Sequence, residues 1–212
     1  MKLILSITSA VLILMCSCTS PNNNTGDIIK IGEQVWMTKN LGVSTYRNGD
    51  IIPQVTNPAQ WSSLTTGAWC YYDNEAANGT KYGKLYNWYA VNDPRGLAPI
   101  GYHVPSDEEW STLTTFLGGD EVAGGKMKST GTTLWSSPNT DASNSSGFAG
   151  LPGGNRYLNG TFYYIGLNGD WWSSTENNTT NAWHRHFNYG NGNVVRNNLN
   201  KTNGCSVRCL RD

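Results

Sequence analysis

From Phe148 to Asp212 the chain is a series of short aromatic runs cut by glycine and asparagine: FAGLPGGNRY, GTFYYIGLNG, DWWSSTE, AWHRHFNYG, NVVRNN and CSVRCLRD. Runs of that length between Gly and Asn turns predict short strands and tight hairpins, because both residues accept the backbone angles that sharp turns impose. A helical half is excluded, since no run is long enough to present a helical stripe over several turns. With nine tryptophans and eleven tyrosines, rings must also supply much of the interior.

The first half reads differently. Ile28 to Met37 predicts two strands joined at Gly32-Glu33, and residues 42–68 predict a loop broken by Asn48-Gly49, Pro53 and Pro58. The AWCYYDNE stretch reads as extended. Leu85 to Asn92 reads as helical, with Leu85, Trp88 and Tyr89 at i, i+3 and i+4. The segment HVPSDEEWSTLTTFLGG (residues 103–119) sets His103 beside three carboxylates. Ser106 and Glu109 fit the reciprocal cap S-x-x-E, and Asp107 and Glu108 complement the positive end of the helix dipole. Trp110, Leu113 and Leu117 form the buried stripe, and Gly118-Gly119 stops the helix. An acid–base site needs converging carboxylates, whereas successive helix residues diverge. The cap is therefore expected to be structural. Early helices and late hairpins make an α+β domain.

The N-terminus, MKLILSITSAVLILMCSCTS, has one basic residue and an apolar run too short to span a bilayer. It fits a secretory leader ending in a lipobox, with Ser17 before Cys18. The expected organisation is a signal peptide at 1–17, a lipidated Cys18 with a polar tether at 18–27, and one domain at 28–212. A multi-acylated Cys18 would anchor the chain to a membrane of the cell envelope, the outer membrane being the expected address. Charged residues are 14% of the chain and the net charge is zero, so nothing offers an electrostatic footprint for nucleic acid. With Cys18 lipidated, Cys70, Cys205 and Cys209 remain. Cys205 and Cys209 would lie about 13 Å apart on a strand, too far to bridge; one disulfide and one free thiol is the simplest arithmetic, with Cys70 and Cys209 as the candidate pair.

IGEQVWMTKNL, YGKLYNWYAVNDPRGLAPIGYHVPSDEEW, GFAGLPGGNRY, DWWSSTE and SVRCLRD, in that order, resemble the Fibrobacter succinogenes major paralogous domain family across residues 28–212. That family is similar to the C-type-lectin-like fold, including its branch of formylglycine-generating enzymes. The resemblance implies two helices packed on twisted antiparallel β-sheets, neighbouring termini and a long irregular loop region. Where the family pattern carries a cysteine ahead of the P-x-G-[WY]-H segment, this chain has Ala98, which opens Cys205 as a shifted disulfide partner.

Formylglycine generation requires two nearby thiolates on copper, and no cysteine stands between Cys70 and Cys205. His184 and His186 would share a strand face, but zinc needs a third protein ligand and His103 is not placed near them. The calcium-lectin motifs Glu-Pro-Asn, Gln-Pro-Asp and Trp-Asn-Asp are absent. The expectation is a non-catalytic module without cofactor or metal, whose partner beyond the membrane is an extracellular glycan or protein. Stacking rings with amides and guanidinium nearby suit sugars, and the candidates are Trp171, Trp172, Trp183, Tyr163, Tyr164, Asn155, Arg156 and Arg185. One ring of the Trp171-Trp172 pair is expected in the core and the other at the loops or solvent. Arg208 and Arg211 are expected to anchor the terminal strand.

Overall fold

The computed structural model describes residues 27–212; the expected leader, the Cys18 anchor and nearly all of the tether lie outside them. The chain runs through β1 (Ile28–Ile31), β2 (Gln34–Met37), α1 (Pro58–Ser62), β3 (Trp69–Cys70), a 3-10 turn at Tyr72–Asn74, α2 (Ala76–Tyr82) and β4 (Leu85–Tyr86). It continues through α3 (Trp88–Val91), β5 (Tyr102–His103), α4 (Asp107–Phe116), α5 (Asp120–Met127), β6 (Asn155–Arg156), β7 (Phe162–Tyr163), β8 (Asn168–Glu176), β9 (Asn181–Asn188), β10 (Val194–Asn200) and β11 (Leu210–Arg211). The strands form antiparallel sheets in the orders β1-β2-β11-β5, β10-β9-β8, β3-β4 and β6-β7. The fold is thus α+β, with several small antiparallel sheets and few helices. The last strand enters the sheet of the first hairpin, whose turn places Gly32 at φ +61.

Local chemistry explains most elements. At α4, Ser106 Oγ accepts from the Glu109 amide at 3.2 Å, and Glu109 Oε2 accepts from the Ser106 amide at 2.7 Å. Trp110, Leu113 and Leu117 are buried as the stripe requires. Leu85 and Tyr86, read as helical from sequence, are instead strand, because Asn87 begins the helix. Its Oδ1 accepts from the Ala90 amide at 3.1 Å and also from Ala68 at 2.9 Å. Helix α5 was not legible, since two consecutive glycines sit inside it. They are required by close approach: a Cβ at Gly124 would lie 2.3 Å from the Asn193 carbonyl oxygen, and one at Gly125 2.6 Å from that of Asp141.

His103 joins three elements. Its Nδ1 lies 2.8 Å from Asp212 Oδ1 and its Nε2 2.9 Å from Glu109 Oε1. Burial alone would lower its pKa, but hydrogen bonds to Asp212 and Glu109 together outweigh it and raise it. A histidine whose pKa is raised by folding stabilises the fold fully below its unfolded value of about 6.5, and this is lost as pH rises through the folded value. Between pH 6 and 8.5 the wild type should therefore lose more melting temperature than His103→Gln. Equal losses in the two proteins would contradict this role.

Strand β8 is buried on both faces at the Trp171-Trp172 pair. Trp171 packs with Trp36, Trp110, Phe148 and Phe187, while Trp172 enters a second cluster with Tyr86, Trp88 and Val207. The expectation that one of the pair would face loops or solvent is therefore wrong: adjacent residues do point to opposite faces, but each face carries its own core. A third cluster gathers Val55, Trp61, Cys70, Tyr72 and Leu85.

That division also corrects the disulfide. Cys70, Cys205 and Cys209 are all buried free thiols. Cys70 stands opposite Leu85 on β4, whereas Cys205 bridges to Tyr86. Neighbours on a strand face opposite ways, so Cys70 joins the third cluster while Cys205 and Cys209 join the cluster of Trp172. A Cys70–Cys209 bond would have to cross between separate cores.

Candidate functional site

Register on the β10-β9-β8 sheet decides which side chains share a face. Asp170 and Trp172 stand opposite His186 and His184, which in turn stand opposite Val195 and Asn197 on β10. The other face carries Trp171, Arg185, Phe187 and Arg196, and packs toward α4 and α5. The first face opens, beyond Trp172, into a groove of about 210 Å³ lined by Asn155, Tyr157, Tyr164, Asp170, His184 and His186, among others.

Two glycine positions shape this groove. Gly154, at φ +61, brings its backbone so close that a Cβ would meet the Tyr163 carbonyl oxygen at 2.4 Å; its amide donates to the Asn168 carbonyl at 2.9 Å. That contact sets Asn155 against Asp170. Gly169 leaves room for the Trp171 ring, which a Cβ there would meet at 2.3 Å. The GGNRY and NGDWW stretches are thus packing solutions for one corner of the molecule.

Asp170 is the centre of the groove floor. Its Oδ1 lies 2.8 Å from His186 Nδ1 and 3.5 Å from His184 Nε2, and its Oδ2 accepts from Asn155 Nδ2 at 3.0 Å. Burial alone would push this carboxyl up, but hydrogen bonds with His184 and His186 outweigh it and hold the group well below the usual carboxylate range. His186, for which burial acts downward, is raised by the Asp170 carboxylate. His184 Nδ1 contacts the Asn197 carbonyl oxygen at 3.0 Å. Asn155 Oδ1 is buried and has no hydrogen-bond partner among the described residues.

Tyrosines form the rim. Tyr157 is 42% exposed, Tyr163 38% and Tyr164 51%. Tyr163 lies between the other two, with ring centroids 6.0 Å from Tyr157 and 5.7 Å from Tyr164. Tyr164 has φ +69, a left-handed conformation that is an outlier for a bulky residue and costs about 1–3 kcal/mol where it persists. Backbone strain therefore sits at the mouth of the groove.

The residues expected to bind a ligand separate into groups. Asn155 and Tyr164 line the groove and Tyr163 flanks it. Trp171 and Trp172 are 0% exposed, and their indole N–H groups are committed to Asn40 Oδ1 and the Tyr86 carbonyl, each at 2.8 Å. Arg156 is fully buried, donating to the carbonyls of Gly160, Val55 and Thr56 with its guanidinium over Trp61. Arg185 is buried on the opposite face against Asp107, at 2.6 Å. Trp183 is also on that face, and its ring is covered by the Arg196 guanidinium 3.4 Å from the centroid. These five do not reach the groove. In their place come Asp170, His184, His186, Tyr157 and Asn197. His184 and His186 share a strand face as alternation requires; the third group beside them is Asp170, not His103. No spacing rule announces that partner, which depends on the register of β8 against β9.

The family model of the Fibrobacter succinogenes major domain matches residues 29–211, and the chain belongs to that family. No curated protein and no solved structure matches the chain.

Proposed function

We propose that this member of the Fibrobacter succinogenes major domain family is a non-catalytic binding module of the cell envelope that takes an extracellular glycan in the groove of β8, β9 and β10. One observation carries the reading: three exposed tyrosines rim a groove whose wall offers Asn155, Asn168, Asn197 and a buried carboxylate. Ring faces stack on the apolar faces of sugars while amides and carboxylates take hydroxyls. Asn155 Oδ1, which no donor among the described residues satisfies, is the kind of acceptor a hydroxyl would complete.

The non-catalytic half of the reading leans on the thiols. Copper–thiol chemistry needs accessible thiolates, and burial pushes the Cys70 and Cys209 thiols each up to about 12. The finer fold assignment, C-type-lectin-like, belongs to the same proposal. It is supported by the presence of the first and last strands in one sheet and by the long irregular stretch between α5 and β8. The lipobox at Cys18 supports an outer-membrane lipoprotein.

One experiment on cells expressing the full chain tests the reading. Glycan binding by membranes from these cells should weaken about tenfold in Tyr164→Ala, which corresponds to about 1.4 kcal/mol, and should be unchanged in Arg196→Lys on the opposite face. The Cys18→Ser chain should leave the membrane fraction and keep its affinity. An array without binders, together with capture of a protein partner that Tyr164→Ala abolishes, would replace the glycan by a protein at the same rim. Full binding by Tyr164→Ala would place the ligand elsewhere.

A further inference from the structure

We propose that Asp170, His184 and His186 hold a divalent transition-metal ion of the zinc class. The inference stands on these three side chains and does not rest on the glycan reading. Each offers one ligand atom, and the three atoms lie within 4.8 Å of one another. Zinc bonds of about 2.0–2.2 Å to nitrogen and oxygen put tetrahedral neighbours roughly 3.3 Å apart. The contacts of Asp170 Oδ1, 2.8 Å to His186 Nδ1 and 3.5 Å to His184 Nε2, bracket that value. The widest separation, up to 4.8 Å, exceeds the tetrahedral value by up to about 1.5 Å, which half-buried His186 would close by turning its ring toward the other two ligands.

The surrounding hydrogen bonds are those that prepare ligands. His184 Nδ1 meets a backbone carbonyl, that of Asn197, and as the donor it leaves Nε2 with its lone pair directed at Asp170 Oδ1. A proton or a metal ion between these two atoms satisfies both, and zinc would take the place of the proton. A histidine whose other ring nitrogen is fixed by a carbonyl is the usual arrangement around a metal. Asp170 is oriented from its far side by Asn155 Nδ2. The second, independent observation is Asn155 itself: it is 7% exposed, lines the groove, and keeps an unpartnered Oδ1 there. Two imidazoles and a carboxylate favour zinc, and its first-row neighbours, over calcium or magnesium, which take oxygen ligands. Three protein ligands leave a coordination position open toward the groove.

The test uses tag-free protein, because a histidine tag binds zinc. After dialysis against zinc chloride, elemental analysis should find one equivalent per chain, and Co²⁺ in its place should give visible d–d bands. His186→Ala, at the half-buried position, should bind zinc roughly 100-fold more weakly or worse. Its circular-dichroism spectrum without metal should match that of the wild type, so that the loss of zinc is not a loss of fold. Asp170→Asn, which keeps the shape of the buried side chain, should lose the ion as well. Calcium chloride should not compete. Absence of stoichiometric zinc overturns the proposal, as does equal zinc affinity in wild type, His186→Ala and Asp170→Asn, or displacement of zinc by equimolar calcium. Because the readout is metal content, failure here leaves the glycan experiment intact, and the reverse holds too.

Discussion

Replacing Trp171 by alanine should destabilise the protein by about 3–5 kcal/mol, the range for emptying a fully buried tryptophan site. The ring packs against Phe187 with centroids 4.7 Å apart and edge-on against Phe148 at 5.9 Å. Its loss also frees one donor from Asn40 Oδ1, which then keeps only the Arg208 guanidinium. The neighbouring clusters cannot close the gap cheaply, because Gly169 and the Trp36–Trp110–Phe148 group are already in contact around it. Denaturant titration measures the loss as a shift of midpoint at unchanged slope. A loss below about 1 kcal/mol, accompanied by loss of ligand binding, would mean that Trp171 belongs to a surface after all.

The second large effect is expected at Arg208. This side chain is fully buried, and no carboxylate among the described residues lies against it. It donates to the carbonyls of Met37 at 3.1 Å and Phe148 at 2.5 Å and to Asn40 Oδ1 at 2.9 Å, and stacks 4.2 Å from the Phe148 centroid. Burial pushes its pKa down to about 9, so the guanidinium remains charged at neutral pH although the interior disfavours it. The geometry makes sense of that cost. One rigid fork ties β2, the loop after it, the Phe148 turn and the terminal strand together, where irregular backbone leaves carbonyls without ladder partners. Arg208→Met keeps the volume and removes every donor. Each buried acceptor left unmade costs about 1–3 kcal/mol, so the sum should be about 3–5 kcal/mol. Arg208→Lys should recover only part, because an ammonium cannot fork to the same acceptors. The check is the unfolding midpoint of both variants; full stability in Arg208→Met would show that the carbonyls are satisfied without it.

What the sequence reveals and conceals follows from the range of the interactions. The α4 cap is a pattern within four consecutive residues, and the Gly32 turn a one-residue requirement, so both were legible. The α+β class was legible from turn spacing. Burial of the Trp171-Trp172 pair was not, because alternation says only that two adjacent rings diverge, not that each face meets a core of its own. Arg156 and Arg185 misled for a related reason. An arginine beside aromatics reads the same whether its donors meet a sugar or the loop carbonyls of Val55, Thr56 and Gly160. The Asp170–His184–His186 cluster was half visible: the His-x-His alternation stood out, but its carboxylate lies on another strand. Helix α5 was hidden because Gly124 and Gly125 lower helix propensity while serving close contact with loops distant in sequence.

Which rings face water separates a tyrosine-rimmed groove from a buried tryptophan core. Hydroxyl-radical footprinting of the intact protein, read by mass spectrometry, compares them in one measurement. Tyr157 and Tyr164 should be oxidised rapidly, and Trp171 and Trp172 only after denaturant is added. Rapid oxidation of Trp171 or Trp172 in the folded protein, with the tyrosines protected, would contradict the account at its base.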